Sequence, residues 1–115
     1  MLTAFDRFIA FLVTIKQEDA DYERVIDQYA VRFISVYCKG LSHRLLRTPQ
    51  SKRGNLTVRS FTDKCKYYAD LLVPGNRYNP TDVWSVRIAV MLDSNRVGRF
   101  LFASFKKIYS KPVLK

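Results

Sequence analysis

Residues 95–110 read NRVGRFLFASFKKIYS, and the rest of the chain is organised around this stretch. A helix advances by about 100° per residue, so apolar and charged side chains separate here onto two faces. The apolar face carries Val97, Leu101, Phe105 and Ile108. The arc almost opposite carries Arg96, Arg99, Lys106 and Lys107. One side of the predicted helix can pack into a core, while the other presents a strip of cations suited to a polyanion.

The preceding stretch, TDVWSVRIAVML, predicts a helix with Thr81 as its N-cap. Trp84, Ile88 and Met91 share one row of this helix, and Val83 and Val90 lie on a neighbouring row with Arg87. Apolar residues around most of its circumference indicate a central position in the fold. Residues 93–95, Asp-Ser-Asn, are expected to break it and to cap the final helix.

A third helix is predicted to begin at Asn55 or Thr57 and to run to about Val73. Its expected core stripe is Val58, Phe61, Cys65, Tyr68 and Leu72. Arg59, Asp63, Lys66 and Asp70 share the opposite face at a spacing that favours salt bridges along the helix. This face is therefore a weaker candidate for anion binding than the last helix.

The turn-rich segment PGNRYNP separates these two helices. Arg77 and Tyr78 are expected to be exposed there and able to stack on or clamp a base, although an ordinary surface loop is the alternative. It does not match a glycine-rich phosphate loop.

Residues 41–55, LSHRLLRTPQSKRGN, are the main interruption of the helical pattern. The first half is predicted to add a short helical turn. The second half, TPQSKRGN, contains Pro, Gly and small polar residues and is predicted to be a loop. Its cations resemble the arm that many nucleic-acid binders lay along a backbone, and a solvated loop is the alternative.

Two helices are predicted in the first forty residues, over Thr3–Gln17 and Asp19–Lys39, with Gly40 as the C′ residue of the second. The expected core stripe of the first is Phe5, Phe8, Ile9, Leu12 and Ile15. That of the second is Tyr22, Val25, Ile26, Tyr29, Phe33, Val36 and Tyr37. Acidic residues in the first turns of the second helix suit the helix dipole. With no period-two alternation anywhere, the sequence predicts an all-α protein, a single compact bundle of about five helices over residues 1–115.

Charge is distributed very unevenly along the 115 residues, which carry a net charge of +10. Residues 1–40 are near neutral at −1, whereas residues 41–115 form a strongly basic half at +11. This asymmetry suggests that one end of the domain faces protein or solvent and the other faces anions.

Several classes of protein are excluded by what the chain lacks. The longest apolar run, FIAFLVTI, is too short to span a bilayer, so we expect a cytoplasmic protein without membrane contact. The two cysteines, Cys38 and Cys65, lie on apolar helix faces and are expected to be core residues in a reducing compartment. A single histidine and no CxxC motif exclude a structural zinc site, and we expect no metal or other cofactor.

An enzyme is not expected. His43, the only histidine, has no acidic residue nearby in sequence that could orient its ring. The basic half contains only four carboxylates, too few in any visible grouping to hold the Mg²⁺ of a nuclease.

The sequence therefore predicts a non-catalytic nucleic-acid-binding protein that grips the phosphate backbone. The principal candidate contacts are Arg44, Arg47, Lys52, Arg53, Arg96, Arg99, Lys106 and Lys107. Arg59, Lys64 and Lys66 are further candidates. No helix-turn-helix, zinc finger or RNP motif is present to read bases directly, so neither DNA nor RNA is preferred.

The last helix pair, VWSVRIAVMLDSNRVGRFLFASFKKIY, resembles the helical small subunits of CRISPR effector complexes in architecture. An arginine in an apolar helix precedes a break and then a helix with spaced cations and aromatics. The resemblance implies several copies side by side, backbone contacts to target or displaced strand, and other protein subunits in a larger ribonucleoprotein. The alternatives are a stand-alone DNA-binding accessory protein of a plasmid or phage, or a helical protein–protein interaction module.

Overall fold

The computed structural model describes residues 3–94, which form five α helices and one 3-10 turn and contain no strand. The helices are α1 (Thr3–Glu18), α2 (Ala20–Leu46), α3 (Gln50–Arg53), α4 (Val58–Leu72) and α5 (Trp84–Ser94), with the 3-10 turn at Pro80–Asp82 before α5. The predicted all-α class is confirmed. The helix predicted at residues 95–110 lies outside the described residues.

Helix α1 has the predicted bounds to within one residue and only part of the predicted stripe. Phe5 and Ile9 are buried, and the Phe5 ring stacks on that of Tyr37 in α2 at 4.6 Å. Phe8 and Phe11 are exposed, by 40% and 57%. The expectation that Phe8 belongs to the core is therefore wrong.

Helix α2 ends seven residues later than predicted, because Gly40 does not end it. The helix passes through Gly40 and ends at Leu46, with Arg47 as its C-cap. Glycine inside a helix costs about 1 kcal/mol, but continuing the helix buries Ser42, Leu45 and Leu46, which offsets that cost. At its start, the side chain of Asp19 accepts a hydrogen bond from the Asp21 amide at 2.7 Å, as expected of an acidic N-cap.

The core stripe of α2 only partly matches the predicted one, because Ile26 is buried and Tyr37 packs partly buried against the core. The buried row recurs every four residues and consists of Ile26, Ala30, Ile34, Cys38 and Ser42. Tyr22, Val25, Tyr29, Phe33 and Val36 are instead exposed. Three of the five residues in the buried row are small, whereas the exposed ones are larger and mostly aromatic.

Helix α4 packs as predicted. Val58, Phe61, Cys65 and Leu72 are fully buried, and Tyr68 packs partly buried against this core. Thr57 is the N-cap and forms a reciprocal capping box with Ser60, which satisfies two otherwise unpaired amides.

The two cysteines lie at the contact between α2 and α4. Both are free and fully buried, so the prediction that they are core residues is confirmed. The Cys38 sulfur lies 3.8 Å from the Ser42 hydroxyl. The neighbouring Cys38 thiol, together with burial, raises the pKa of the Cys65 thiol far above its usual range.

Helix α5 buries one of its two apolar rows. Asn79, not Thr81, caps the 3-10 turn that precedes it, accepting from the Thr81 amide at 3.1 Å. The buried residues of α5 are Val86, Ala89, Val90 and Asp93. Trp84, Ile88 and Met91 are exposed.

Asp93 lies on the buried side of α5, where it joins three elements. Its Oδ1 lies 2.7 Å from Arg53 Nη2, with both side chains almost completely buried. Its Oδ2 accepts a hydrogen bond from the Val58 amide, the first of α4, at 2.8 Å. The guanidinium of Arg53 and the positive end of α4 compensate for the buried charge of Asp93. The break predicted at residues 93–95 reaches beyond the described residues and stays a prediction.

Replacing Asp93 with asparagine is therefore expected to lower the free energy of unfolding by about 3–5 kcal/mol, because it leaves the buried Arg53 guanidinium without its counter-charge. Urea denaturation followed by circular dichroism measures this loss. The matched control is Asp70→Asn, which removes the exposed pair with Lys66 and should cost about 0.5 kcal/mol or less. Similar losses in both variants would contradict the structural role given to Asp93.

Candidate nucleic-acid interface

Four of the predicted cations are exposed around the junction of α2, α3 and α4. Arg44 lies in the last turn of α2 and Arg47 is its C-cap, while Lys52 belongs to α3 and Arg59 to the first turn of α4. All four are exposed. None of the ion pairs formed within residues 3–94 uses any of them. We call Arg44, Arg47, Lys52 and Arg59 the junction cations.

Arg53 does not belong to this set, contrary to the prediction. Its side chain is 4% exposed and its guanidinium is paired with Asp93. A phosphate outside the protein cannot reach it without breaking a buried ion pair. Arg53 instead fixes the segment to the core through Asp93. Its neighbour Lys52 is exposed on this fixed segment.

The segment between α2 and α4 is more ordered than the predicted loop. The Thr48 hydroxyl donates to the Arg44 carbonyl at 2.8 Å, closing the end of α2. Pro49 begins α3, and the Lys52 amide donates to the Pro49 carbonyl at 2.9 Å. At Gly54 the chain turns with φ of +59°, a conformation that disfavours side chains with a Cβ. The segment between α2 and α4, predicted to be a loop, thus contains the short helix α3 with ordered residues on both sides of it.

The two remaining predicted cations of α4 are already neutralised. Lys64 Nζ lies 3.1 Å from Asp6 Oδ1 and 5.9 Å from the centre of the Tyr68 ring. Lys66 Nζ lies 3.2 Å from Asp70 Oδ1. Because each cation has a carboxylate partner, both are weaker candidates for a phosphate than the junction cations.

The last four predicted contacts, Arg96, Arg99, Lys106 and Lys107, lie outside the described residues. Their assignment therefore stays a prediction from the sequence.

Acidic residues are missing from the chain on either side of the junction. No Asp or Glu occurs in residues 28–62, a stretch that contains seven Lys and Arg. Of these seven, Arg53 alone has a buried carboxylate partner. The exposed surface contributed by this stretch therefore has positive charge with no negative charge from the same stretch to offset it.

The N-terminus of α4 is not open to an external anion. Its first amide is bound by Asp93 Oδ2, and the Thr57 side chain binds the Ser60 amide at 3.0 Å. A phosphate would otherwise favour such a helix end. Any anion held at this junction must be held by the side chains of the junction cations.

Of the two residues at 74–80 that were expected to be exposed and to clamp a base, only Arg77 is exposed. Tyr78 is partly buried. Burial, together with the interaction with Cys38, raises the pKa of Tyr78 above its usual range. The expectation that Tyr78 is exposed is wrong, because its ring packs against the core.

Within residues 3–94, no cluster of three or more His, Cys, Asp or Glu side chains could hold a metal ion. In the same part of the chain, no helix combines the length and the apolar character needed to cross a membrane.

Comparisons of the chain with protein-family models, with curated proteins and with solved structures gave no match. The function is therefore inferred from the geometry and the charge of the chain itself.

Next to the junction, Asp6, Lys64 and Tyr68 form a small network that ties α1 to α4. The Tyr68 hydroxyl donates to Asp6 Oδ1 at 2.6 Å, and Lys64 donates to Oδ2 at 3.2 Å. Desolvation alone would raise the pKa of Asp6, but the hydrogen bonds from Tyr68 and Lys64 and the charge of Lys64 outweigh it and lower the pKa below 3.8. Burial and the bond to Asp6 raise the pKa of Tyr68 to about 12.

Because the folded-state pKa of Asp6 is depressed, its stabilisation is present above 3.8 and is lost as the pH falls through the folded value. Tyr68→Phe should lower the free energy of unfolding at neutral pH by about 1 kcal/mol or less, since the pair is partly exposed. The difference from wild type should shrink at a pH well below 3.8. Urea denaturation at both pH values checks this, with the exposed Tyr67→Phe as control. A difference independent of pH would contradict the ionic role of Asp6.

Proposed function

We propose that this protein is a non-catalytic nucleic-acid-binding protein that holds the phosphate backbone through the junction cations. The observation that carries the proposal is the placement of Arg44, Arg47, Lys52 and Arg59 on one ordered segment, where none of them pairs with a carboxylate of residues 3–94. Arginine suits this role because its planar guanidinium can form two parallel hydrogen bonds to one phosphate. Three of the four junction cations are arginines.

Binding of this kind carries little sequence information. Lys and Arg displace counterions condensed on the nucleic acid, so affinity falls with salt. Arg96, Arg99, Lys106 and Lys107 extend the same proposal to the chain that follows α5. The proposal assigns no catalytic residue, no metal and no cofactor.

The proposed setting is a cytoplasmic ribonucleoprotein of the CRISPR effector type, in which the chain serves as a small subunit and contacts target or displaced strand. The near-neutral first forty residues support this setting, because they leave one part of the chain suited to other protein subunits.

Replacing all four junction cations with alanine should weaken binding to labelled single-stranded DNA, duplex DNA and RNA. Four fewer phosphate contacts should reduce the slope of log K against log salt by about 3.6 for duplex DNA and about 2.8 for single strands. A salt series monitored by fluorescence anisotropy measures the slope. The control replaces four other exposed arginines, Arg7, Arg24, Arg32 and Arg87, and so removes the same charge.

The control distinguishes binding at the junction cations from binding caused by the net positive charge of the whole protein. If both quadruple variants lose affinity and slope equally, the junction is not a binding site and the protein acts only through its net charge. If wild type binds none of the three nucleic acids near physiological salt, backbone binding by the isolated chain is overturned.

A further inference from the structure

A second surface of the molecule, distant in sequence from the junction, is apolar and exposed. It is formed by one side of α1 and α2, and we call it the apolar face: Phe8, Phe11, Tyr22, Val25, Tyr29, Phe33 and Val36. Each of these side chains is between 39% and 69% exposed. Single exposed apolar residues are ordinary, but a contiguous set of this size marks an interaction site.

The apolar face is a regular seam along α2. Tyr22, Val25, Tyr29 and Val36 follow one another at intervals of three, four and seven residues, which is the spacing of the contact positions in paired helices. Between α1 and α2 the seam opens into a groove of about 190 Å³, lined by Phe8 and Leu12 on one side and Val25, Tyr29 and Phe33 on the other. The rings of Phe8 and Phe33 lie 5.0 Å apart and connect the two helices beneath it.

Charge along α2 is arranged with opposite signs at the two ends of this seam. The acidic residues Asp19, Asp21 and Glu23 stand at its beginning, where Arg24 pairs with Asp21 at 2.8 Å and leaves residues 19–24 with a net charge of −2. The basic residue Lys39 stands near its end. A helix with this arrangement attracts an antiparallel copy of itself, because the acidic end of each meets the basic end of the other. The near-neutral charge of residues 1–40 removes the repulsion that the basic half would impose.

We propose that the apolar face binds a second copy of this chain, with the two α2 helices antiparallel about a two-fold axis near Tyr29. In that register Tyr22 of one copy lies opposite Val36 of the other, and Val25 lies opposite Phe33. Lys39 of each copy then comes near Asp19 and Asp21 of the other. The junction cations begin at Arg44 in the last turn of α2, five residues after Lys39, and stay outside the seam.

The area of the apolar face is large enough for such a dimer. An aromatic side chain has a surface of about 150–250 Å², and five aromatics in the face are roughly half exposed. They alone offer about 500 Å² per copy, or about 1,000 Å² for the pair, which reaches the lower bound of a specific interface. The two valines and the flanking charges add to it. Arg32 lies along the seam between Tyr29 and Val36, where its aliphatic stem can cover apolar surface while its charge stays in water.

The first test is the molar mass of the full chain in solution without nucleic acid. Sedimentation velocity at micromolar concentration should give twice 13.5 kDa for wild type. Tyr29→Glu should give the monomer mass with an unchanged circular dichroism spectrum. The matched control is Met91→Glu, an equally polar change on the exposed side of α5, which should stay dimeric.

The second test fixes the register. Because a two-fold axis near Tyr29 brings that residue against its own copy, Tyr29→Cys should be joined into covalent dimers by a short bismaleimide. Met91→Cys and wild type should not be, since the native cysteines are buried. Lys39→Glu should weaken the dimer at low salt, and adding Asp21→Lys in the same chain should restore it.

A monomeric wild type would overturn the proposal and leave the apolar face to another protein or to the residues that follow α5. A dimer that survives Tyr29→Glu but dissociates in Met91→Glu would overturn it in favour of α5. Because these measurements use no nucleic acid and leave the junction cations intact, they succeed or fail independently of the proposed function.

Discussion

The buried ion pair between Arg53 and Asp93 is the constraint on which the rest of the structure depends. It joins the end of α5 to α3 and, through the Val58 amide, to the start of α4. Two desolvated charges contribute little net stability compared with an apolar contact of the same size, but each is costly without the other. The main effect of the pair is therefore on the relative positions of α3, α4 and α5. Any arrangement of these helices that separates Arg53 from Asp93 leaves a buried charge without its partner and is penalised.

The same pair separates two kinds of basic residue that the sequence presents side by side. Lys52 and Arg53 are neighbours in the chain, yet one is exposed and the other is almost completely buried. The anchor provided by Arg53 is what gives Lys52 a fixed position relative to α2 and α4. A binding surface on an ordered segment loses less conformational entropy when it meets its partner than a mobile arm would.

How well the sequence predicted each helix depends on how many apolar rows that helix has. Helix α4 has one such row, so its stripe from Val58 to Leu72 and its cap at Thr57 were predictable. Helices α2 and α5 have two, and the buried row of each contains small or polar residues such as Ala30, Ser42 and Asp93. Hydrophobic periodicity favours the row with the larger side chains as the core row, but in both helices that row is exposed. The partner of Arg53 was not predictable, because no local pattern connects residues so far apart in the chain.

The cap on α4 also has a consequence for the order of folding. An ordinary N-cap comes from the preceding residue and forms with its helix, whereas the Val58 amide is bound by a side chain 35 residues further along. The first turn of α4 is thus completed only when α5 has docked. Hydrogen exchange at this single amide would consequently follow the detachment of α5 rather than the local fraying of α4. Exchange of the Val58 amide proton would therefore measure how often α5 detaches from α4.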